Sequence, residues 1–356
     1  MSDRQPVASD QVPQVWLGLT QTAEQVTGWT SVAITRAIDS CADAYRLTMD
    51  WDPAGESRRR FVPFSSAAVR LSVDNEVVIT GYIERLTPEV SGDSRTLTIE
   101  GRSTTGVLLD WSAGGPGRGY EFRNVTLGTV ARELARPNQV IAMPDTPLIP
   151  VVEFEPGQTV YEVLSAIAAG HALFAAPQPN GSLRFTRFSG AGAPTKALDE
   201  SESPIRRISA TYDTTKRFQE YVVFGQTDSV PDVSAGVRDP QALGVSVRAR
   251  RVRRLVQQTQ DVQEAAVFER NRALIDSFCV RATVTGWTYR GQLWQPGEIV
   301  SVRAPSAMLY NASNLIVNRV TLRSDPEFGQ ETDLELSLPA AYSNAKTIRG
   351  ALPWQV

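Results

Sequence analysis

Few side chains in this sequence are suited to catalysis or metal binding. His171 is the only histidine, so a site built on two histidines is excluded and a catalytic triad has one candidate imidazole. Cys41 and Cys279 are the only cysteines and do not form a C-x-x-C motif, which leaves neither a dithiol nor a thiolate metal site. His171 follows a predicted helix, where a histidine packed at the surface is expected. The sequence therefore predicts no catalytic residue, no metal site and no cofactor.

The densest run of charge is a set of five arginines within seven residues: Arg248, Arg250, Arg251, Arg253 and Arg254. Guanidinium groups bind phosphates, yet no aromatic residue is interleaved for base stacking, and the net charge of −3 is unlike that of a general nucleic-acid binder. Two interpretations stay open for this run. It is either a solvated strand edge, or a subunit or partner interface in which arginines form bidentate pairs with carboxylates.

A glycine-rich stretch at residues 113–119 could suggest a phosphate-binding loop. Neither G-x-G-x-x-G nor G-x-x-x-x-G-K spacing is present, so the stretch is interpreted as a linker. The N-terminus has no signal-peptide pattern, and the most apolar segment, 163–176, is too short to span a bilayer. Two cysteines do not make a disulfide framework, which favours synthesis in a reducing cytoplasm.

The elements around these residues are mostly predicted strands. In the first hundred residues apolar and polar residues alternate, as at Leu47 to Asp52, which is typical of antiparallel strands with one buried face. Asp74-Asn75 and Asn180-Gly181 predict tight hairpins. Thr126 is a candidate helix cap, Thr159 with Glu162 forms a capping box, and Gly170 is expected to end that helix in the left-handed conformation. Residues 261–278 read as a further helix, followed by more alternating strands.

This pattern predicts a β-rich α+β protein with two antiparallel β-barrel-like domains and smaller mixed α/β segments between them. The predicted divisions are an N-terminal barrel domain at 1–108, a mixed α/β domain at 109–200, a strand segment with the arginine-rich insertion and a helix at 201–276, a second barrel domain at 277–342 completed by strands from 205–225, and a tail at 343–356.

The two β units also share short sequence echoes. The pentapeptide Val26–Thr30 recurs at Val284–Thr288, and Arg85-Leu86-Thr87 is echoed by Arg319-Val320-Thr321. Either the units are a structural duplication, or strands of biased composition produce these matches by chance.

Three stretches resemble a known family, the baseplate hub proteins of Mu-like contractile-tailed phages, which are related to late control gene D proteins and to the N-terminal part of VgrG. The resemblance spans most of residues 15–340. It rests on residues 27–38 with 81–84 and 97–102, on 155–164 with the Asn180-Gly181 hairpin, and on Trp287 with the Trp294-x-Pro296-Gly297 turn and the strand after it.

The resemblance implies a structural virion protein of the tail baseplate that is not an enzyme. In this family two similar barrels per chain build a homotrimeric ring with pseudo-sixfold symmetry, which joins the hexameric tail tube to the trimeric central spike, nucleates the tube and leaves a channel for DNA. The implied partners are a second and third copy, the tube protein, a separate spike protein and other baseplate proteins, with no sequence-specific nucleic acid. We expect a neutral or acidic channel wall without the arginine cluster. The alternatives are a tail-associated peptidoglycan hydrolase and a tail-tip receptor- or carbohydrate-binding protein.

Overall fold

The computed structural model describes residues 13–55, 57–115, 119–135, 141–142, 144–171, 173–187, 192–201, 205–227, 230–239, 250–254, 262–342 and 353–354. The N-terminal third is built almost entirely of strands whose burial alternates residue by residue, as the polar and apolar alternation predicts. Its elements are β1 (Val15–Leu19), β2 (Glu24–Val26), β3 (Trp29–Ala37), β4 (Ala44–Asp50), α1 (Ser57–Arg60), β5 (Ala68–Val73), β6 (Glu76–Ser91) and β7 (Ser94–Ser103).

The middle of the chain is a mixed α/β unit with its own apolar core. Short helices pack against a two-stranded and a three-stranded sheet. The elements are α2 (Val107–Asp110), β8 (Glu121–Val125), α3 (Leu127–Leu134), β9 (Ile141–Ala142), β10 (Ile149–Glu153), α4 (Val160–Gly170), β11 (Phe174–Pro177) and β12 (Leu183–Thr186).

The remaining residues return to the large sheet, with one inserted unit. The insertion is a small sheet, with β15 between β16 and β17, packed on α5. The elements are β13 (Lys196–Asp199), β14 (Ile205–Tyr212), β15 (Glu220–Thr227), β16 (Val230–Arg238), β17 (Arg250–Arg254), α5 (Val262–Ser277), β18 (Phe278–Thr285), β19 (Thr288–Tyr289), β20 (Gln292–Leu293), β21 (Ile299–Ala304), β22 (Leu309–Asp325) and β23 (Gly329–Ser337).

The sequence predicts two barrel-like domains, but the first and last thirds do not form two separate barrels. In the described part of the chain they form one open sheet of 13 strands, whose main path runs β14-β18-β23-β22-β3-β4-β7-β6-β5-β1-β2, with β21 on β22 and β13 on β21. Antiparallel pairing of β3 with β22 joins the two halves. The protein is β-rich with smaller helical units, as expected, but the barrel description is corrected to an open, shared sheet.

The local turn and cap signals are confirmed except at one glycine. Asp74 and Gly181 adopt positive φ in their hairpins, and the Thr159–Glu162 capping box forms. The α4 helix, however, continues through Gly170 and is capped by His171 at a φ of −110°. Because the chain leaves α4 without a left-handed residue, Gly170 is not the predicted stop.

The predicted domain boundaries stay predictions. Two strands bear on them. β14 pairs with β18, and so joins the C-terminal strands. β13, in the segment assigned to the mixed domain, pairs in parallel with β21 of the large sheet.

Candidate assembly surface

The two halves of the large sheet have the same strand order. In the N-terminal half the strands lie β3-β4-β7-β6-β5-β1, and in the C-terminal half they lie β14-β18-β23-β22-β21-β13. The equivalent strands also follow one another along the chain in the same order, which starts with β1 in the N-terminal half and with β13 in the C-terminal half. The halves differ in that β1 pairs antiparallel with β5, whereas β13 is parallel to β21, and in the inserted sheet and α5 between β14 and β18.

The residue register is also repeated. A bulge interrupts β6 between Ile83 and Arg85 opposite β7, and β22 between Val317 and Arg319 opposite β23. Directly after each bulge an arginine faces a glutamate: Arg85 lies opposite Glu100, and Arg319 opposite Glu335. Because a bulge adds one residue to one strand and fixes the pairing beyond it, its recurrence at the same place indicates that the halves are structural repeats.

Each of these glutamates lies between two arginines. In the N-terminal repeat Glu100 is 3.2 Å from Arg85 and 3.6 Å from Arg46 of β4. In the C-terminal repeat Glu335 is 3.7 Å from Arg319 and 3.1 Å from Arg281 of β18. The hydrogen bond from Arg281 to Glu335 raises the pKa of this guanidinium. We call these two sets, Arg46–Glu100–Arg85 and Arg281–Glu335–Arg319, the paired triads.

The paired triads belong to the polar face of the sheet, opposite the apolar core. Further ion pairs extend the same pattern. Arg102 contacts Glu84 and Asp110 at 2.7 Å, and Arg323 contacts Asp333 at 2.8 Å. The arginines of this face named here thus each have a carboxylate within ion-pair distance, so the face carries charges of both signs.

Among the described strands, β3 and β22 are the pair through which the two repeats meet. Thr35 and Thr321 lie opposite each other with their hydroxyl oxygens 3.1 Å apart. At the end of the junction the Ile38 N–H donates to the Asn318 carbonyl at 3.0 Å. On the core side Arg36 is buried and donates to Gln295 at 2.8 Å.

Arg36 also lies 3.6 Å from Asp43, which is itself buried. Desolvation by burial raises the pKa of Asp43 to about 7, against the opposing charge of Arg36. At the equivalent places of the C-terminal repeat stand Tyr212 and Phe278, whose rings are 5.4 Å apart. The repeat thus keeps the backbone register, while a buried ion pair in the N-terminal half is replaced by an aromatic contact between exposed Tyr212 and buried Phe278 in the C-terminal half.

The described residues of the arginine cluster belong to a different sheet from the paired triads. The backbone of Arg250, Arg251, Arg253 and Arg254 forms β17, which is parallel to β15 in the inserted sheet. Arg248 lies outside the described residues, as do the side chains of the cluster. Its assignment as a subunit or partner interface stays a prediction.

His171, Cys41 and Cys279, the candidates for chemistry in the sequence, stand in different parts of the fold: at the end of α4, between β3 and β4, and on β18. His171 caps α4, and its carbonyl accepts a hydrogen bond from Arg187 at 2.8 Å. Cys41 is buried, and burial raises its pKa to about 12, which disfavours the reactive thiolate. Among the described residues no cluster of three or more histidine, cysteine or acidic side chains is arranged to hold a metal ion. No described helix has the length and apolar composition needed to cross a bilayer.

Sequence reasoning missed the paired triads, although one of the two echoes marks them. Arg85-Leu86-Thr87 and Arg319-Val320-Thr321 lie in equivalent strands and the same register. The identical pentapeptides do not, because Val26 ends β2 while Val284 lies at the end of β18. The shorter, inexact sequence match therefore marks equivalent positions of the two repeats, and the identical pentapeptide does not.

Comparison with known proteins finds similarity to phage baseplate proteins. Residues 19–103 match the family model for the N-terminal domain of Mu phage baseplate assembly protein GpP-like proteins. Residues 105–187 match the family model for the second domain of baseplate hub protein gp44-like proteins. The chain is 28% identical over 329 residues to baseplate hub protein gp44 of Escherichia phage Mu, covering 87% of this chain and 84% of the relative. These descriptions are of structural baseplate components.

Solved structures show the same fold. A tail protein from Neisseria meningitidis MC58 superposes with a TM-score of 0.78 at 21% identity, covering 94% of this chain and all of that one. An Escherichia coli protein described as a type VI secretion component, with structural similarity to the T4 tail proteins gp27 and gp5, gives a TM-score of 0.55 at 12% identity, covering 95% of this chain and 80% of that one. Both domain models and the Mu relative are baseplate assembly or baseplate hub proteins, and the chain is similar to that relative over most of its length.

Proposed function

We propose that this protein is the hub of a contractile-tail baseplate, that it acts as a homotrimer, and that it catalyses no reaction. It joins the hexameric tail tube to the trimeric central spike, nucleates assembly of the tube and surrounds a channel for DNA. The observation that carries this proposal is the repeat of strand order, bulge and paired triad within one chain.

The symmetry argument follows from the repeat. A tube with six identical subunits per ring offers six equivalent contacts, and a spike of three chains offers three. Three copies of a chain with two equivalent units present six similar surfaces to one side while keeping threefold symmetry towards the other. One polypeptide therefore removes the mismatch without an additional adaptor.

The polar face of the sheet is the surface we assign to the channel wall. Its opposite face is committed to the core through residues such as Ile34, Leu47 and Leu334, each at most 1% exposed. Phosphates of a passing duplex bind unpaired arginines strongly. In the paired triads the arginines are already held by Glu100 and Glu335, so the wall would retain DNA weakly, as a conducting channel requires.

The remaining contacts are those with other tail proteins. The cluster at Arg248, Arg250, Arg251, Arg253 and Arg254 is our candidate for a subunit or partner interface, since guanidinium groups form bidentate pairs with carboxylates. The partners are the tube protein, a separate spike protein and other baseplate proteins. The protein is made in the host cytoplasm and ends in the tail baseplate of the virion.

Native mass spectrometry with negative-stain imaging tests the proposal. We expect a ring whose mass is three times the 39.0 kDa of one chain. A monomer that digests purified peptidoglycan would overturn it in favour of the hydrolase alternative. A chain that binds host cells or glycans without forming a ring would favour the receptor-binding alternative.

A further inference from the structure

The side chain of Gln295 fills a socket on the N-terminal repeat. Gln295 lies in the Trp-x-Pro-Gly turn of the C-terminal repeat. Its amide accepts a hydrogen bond from Arg36 at 2.8 Å and donates one to Glu76 at 2.5 Å. Asp43 lies beside Arg36, and both are buried. The turn of one repeat therefore inserts a side chain into the other repeat, between three residues that we call the polar socket: Arg36, Asp43 and Glu76.

The C-terminal repeat has a socket at the equivalent place, and it is built of rings. Tyr212 and Phe278 stand at the positions of the arginine and the aspartate of the polar socket. Tyr310 lies at the start of β22, as the glutamate lies at the start of β6. The Tyr212 hydroxyl donates to the Met308 carbonyl at 3.2 Å, which orients its ring. We call Tyr212, Phe278 and Tyr310 the aromatic socket.

Pro353 and Trp354 of the same chain occupy the aromatic socket. The centre of the Trp354 ring lies 4.8 Å from that of Phe278 and 5.4 Å from that of Tyr212. The Tyr310 N–H donates to the Pro353 carbonyl at 3.0 Å. With Trp354 in place, Tyr212 is still 37% and Tyr310 40% exposed, against 6% for the arginine of the polar socket. These two residues therefore fill the socket incompletely and leave room for a larger apolar group.

The N-terminal repeat carries a turn equivalent to the one that holds Gln295. Residues 61–63 (Phe-Val-Pro) repeat the aromatic-x-proline pattern of residues 294–296 (Trp-Gln-Pro), and both aromatic side chains are buried. Each turn leads into the strand that pairs with β6 or with β22. The residue before the bulge of β6 or β22 donates its N–H to a carbonyl just past the turn, at 2.9 Å in both repeats. Val62 thus corresponds to Gln295.

This N-terminal turn presents apolar side chains to solvent. Val62 is 53% exposed and Phe64 is fully exposed. Phe64 also holds a φ of +62°, a conformation that costs energy for any residue with a side chain and that recurs at functional positions. From its proline to the carbonyl of the shared hydrogen bond the turn spans residues 63–67, two more than the 296–298 of the other turn. Its length and its apolar groups suit a socket made of rings.

Symmetry brings this turn to the aromatic socket. In a ring in which the two repeats alternate, the contact between the repeats of one chain recurs between each chain and the next. The turn of a second copy then reaches the place that Trp354 occupies. We propose that Pro353 and Trp354 form a displaceable plug, which fills the aromatic socket in the free chain and leaves when the turn at residues 61–66 of a second copy enters.

The plug makes ring formation depend on release of Trp354, so that free chains remain separate until their concentration favours the exchange. This inference rests on the proposed ring and adds a contact within the free chain that opposes its formation.

Replacing Trp354 tests the competition in the full-length chain. We expect Trp354→Ala to form rings at a concentration about 3- to 10-fold lower than the wild type, because a lost aromatic contact changes an equilibrium constant by about this factor. Mass photometry over a concentration series measures the fraction of rings. Trp111→Ala is the matched control, since Trp111 is a partly exposed tryptophan of the mixed α/β unit, and it should assemble like the wild type.

A reversible lock on the plug gives a second measurement. The variant combines Tyr310→Cys and Pro353→Cys, at two positions joined by a backbone hydrogen bond and so within the reach of a disulfide. Cys279→Ser removes the more exposed of the two native thiols. The oxidised chain should remain monomeric, and the same chain after reduction should form rings.

The outcomes separate the plug from the ring. If Trp354→Ala needs the same or a higher concentration than the wild type, or if the oxidised lock assembles as readily as the reduced one, the plug is overturned and the hub proposal stands. Rings formed by Trp354→Ala at concentrations where the wild type is monomeric would support both. If the wild type, Trp354→Ala and the reduced lock all remain monomeric at every concentration, the ring and the plug are both overturned.

Discussion

The ammonium group of Lys196 lies over the ring of Trp294, 4.7 Å from its centre. The Lys196 side chain is fully buried, and its Nζ donates to the Glu298 carboxylate at 2.7 Å and to the Leu293 carbonyl at 2.8 Å. Lys196 stands on β13, and Trp294 begins the Trp-x-Pro-Gly turn that leads into β21. One buried cation therefore attaches the turn of the second repeat to the strand that extends its sheet.

Replacing Lys196 with methionine should destabilise the fold because Glu298 loses its cationic partner. Breaking a buried ion pair costs about 3–5 kcal/mol, and we expect the lower end, since the Glu298 side chain is 22% exposed. The double variant Lys196→Met/Glu298→Gln should regain part of this loss. Urea unfolding of both variants measures it, and an equal loss in the two would show that the charge pairing is unimportant.

A methyl group at Gly101 should be poorly tolerated. Its Cβ would lie 2.0 Å from the Tyr82 carbonyl oxygen and 2.5 Å from the Tyr45 hydroxyl, where β7 and β6 approach closely. We expect Gly101→Ala to cost about 1–3 kcal/mol, the usual cost of overpacking, or more because backbone must move. Gly115→Ala is the matched control, since nothing lies within 4 Å of its Cβ. Similar melting temperatures for the two variants would contradict the close approach.

The paired triads should respond equally in the two repeats. Glu100 and Glu335 are partly exposed, so each of Glu100→Gln and Glu335→Gln should lower the free energy of unfolding by about 0.2–1 kcal/mol. The effect should shrink at 1 M salt because screening weakens exposed pairs. Urea titrations at two salt concentrations measure this. A loss of several kcal/mol in one variant alone would contradict the equivalence.

Asp43 should make stability depend on pH. Its pKa rises from 3.8 to about 7 on folding because burial disfavours the carboxylate. Between these values the folded chain binds more protons than the unfolded chain, so the free energy of unfolding falls as the pH rises through this window.

Asp43→Asn should remove that fall, and its stability relative to the wild type should increase between pH 4 and pH 7. The increase should amount to a few kcal/mol, since one pKa unit corresponds to about 1.4 kcal/mol. Denaturant titrations across this range measure it, with Asp93→Asn in the exposed β6–β7 turn as control. A constant difference between the Asp43 variant and the wild type at every pH would contradict a raised pKa.

Much of the local structure is readable from neighbouring residues. Alternation places Leu47 inside and Arg46 outside on β4, and the Thr159–Glu162 box begins α4, because side-chain period and capping depend on residues a few positions apart. The family could also be recognised, since its motifs keep their order along the chain. Gly170 shows the limit of such signals, because a glycine permits a helix end without requiring one.

The amino-acid sequence by itself determined which faces of the strands are buried and where the hairpins and helices begin. Only the tertiary structure decided that β3 pairs with β22, and that Glu100 and Glu335 take the same place between two arginines. Residues such as Thr35 and Thr321 are 286 positions apart. Strands are joined through backbone hydrogen bonds that every residue except proline can make, so the choice of partner depends on how whole repeats pack and not on any local motif.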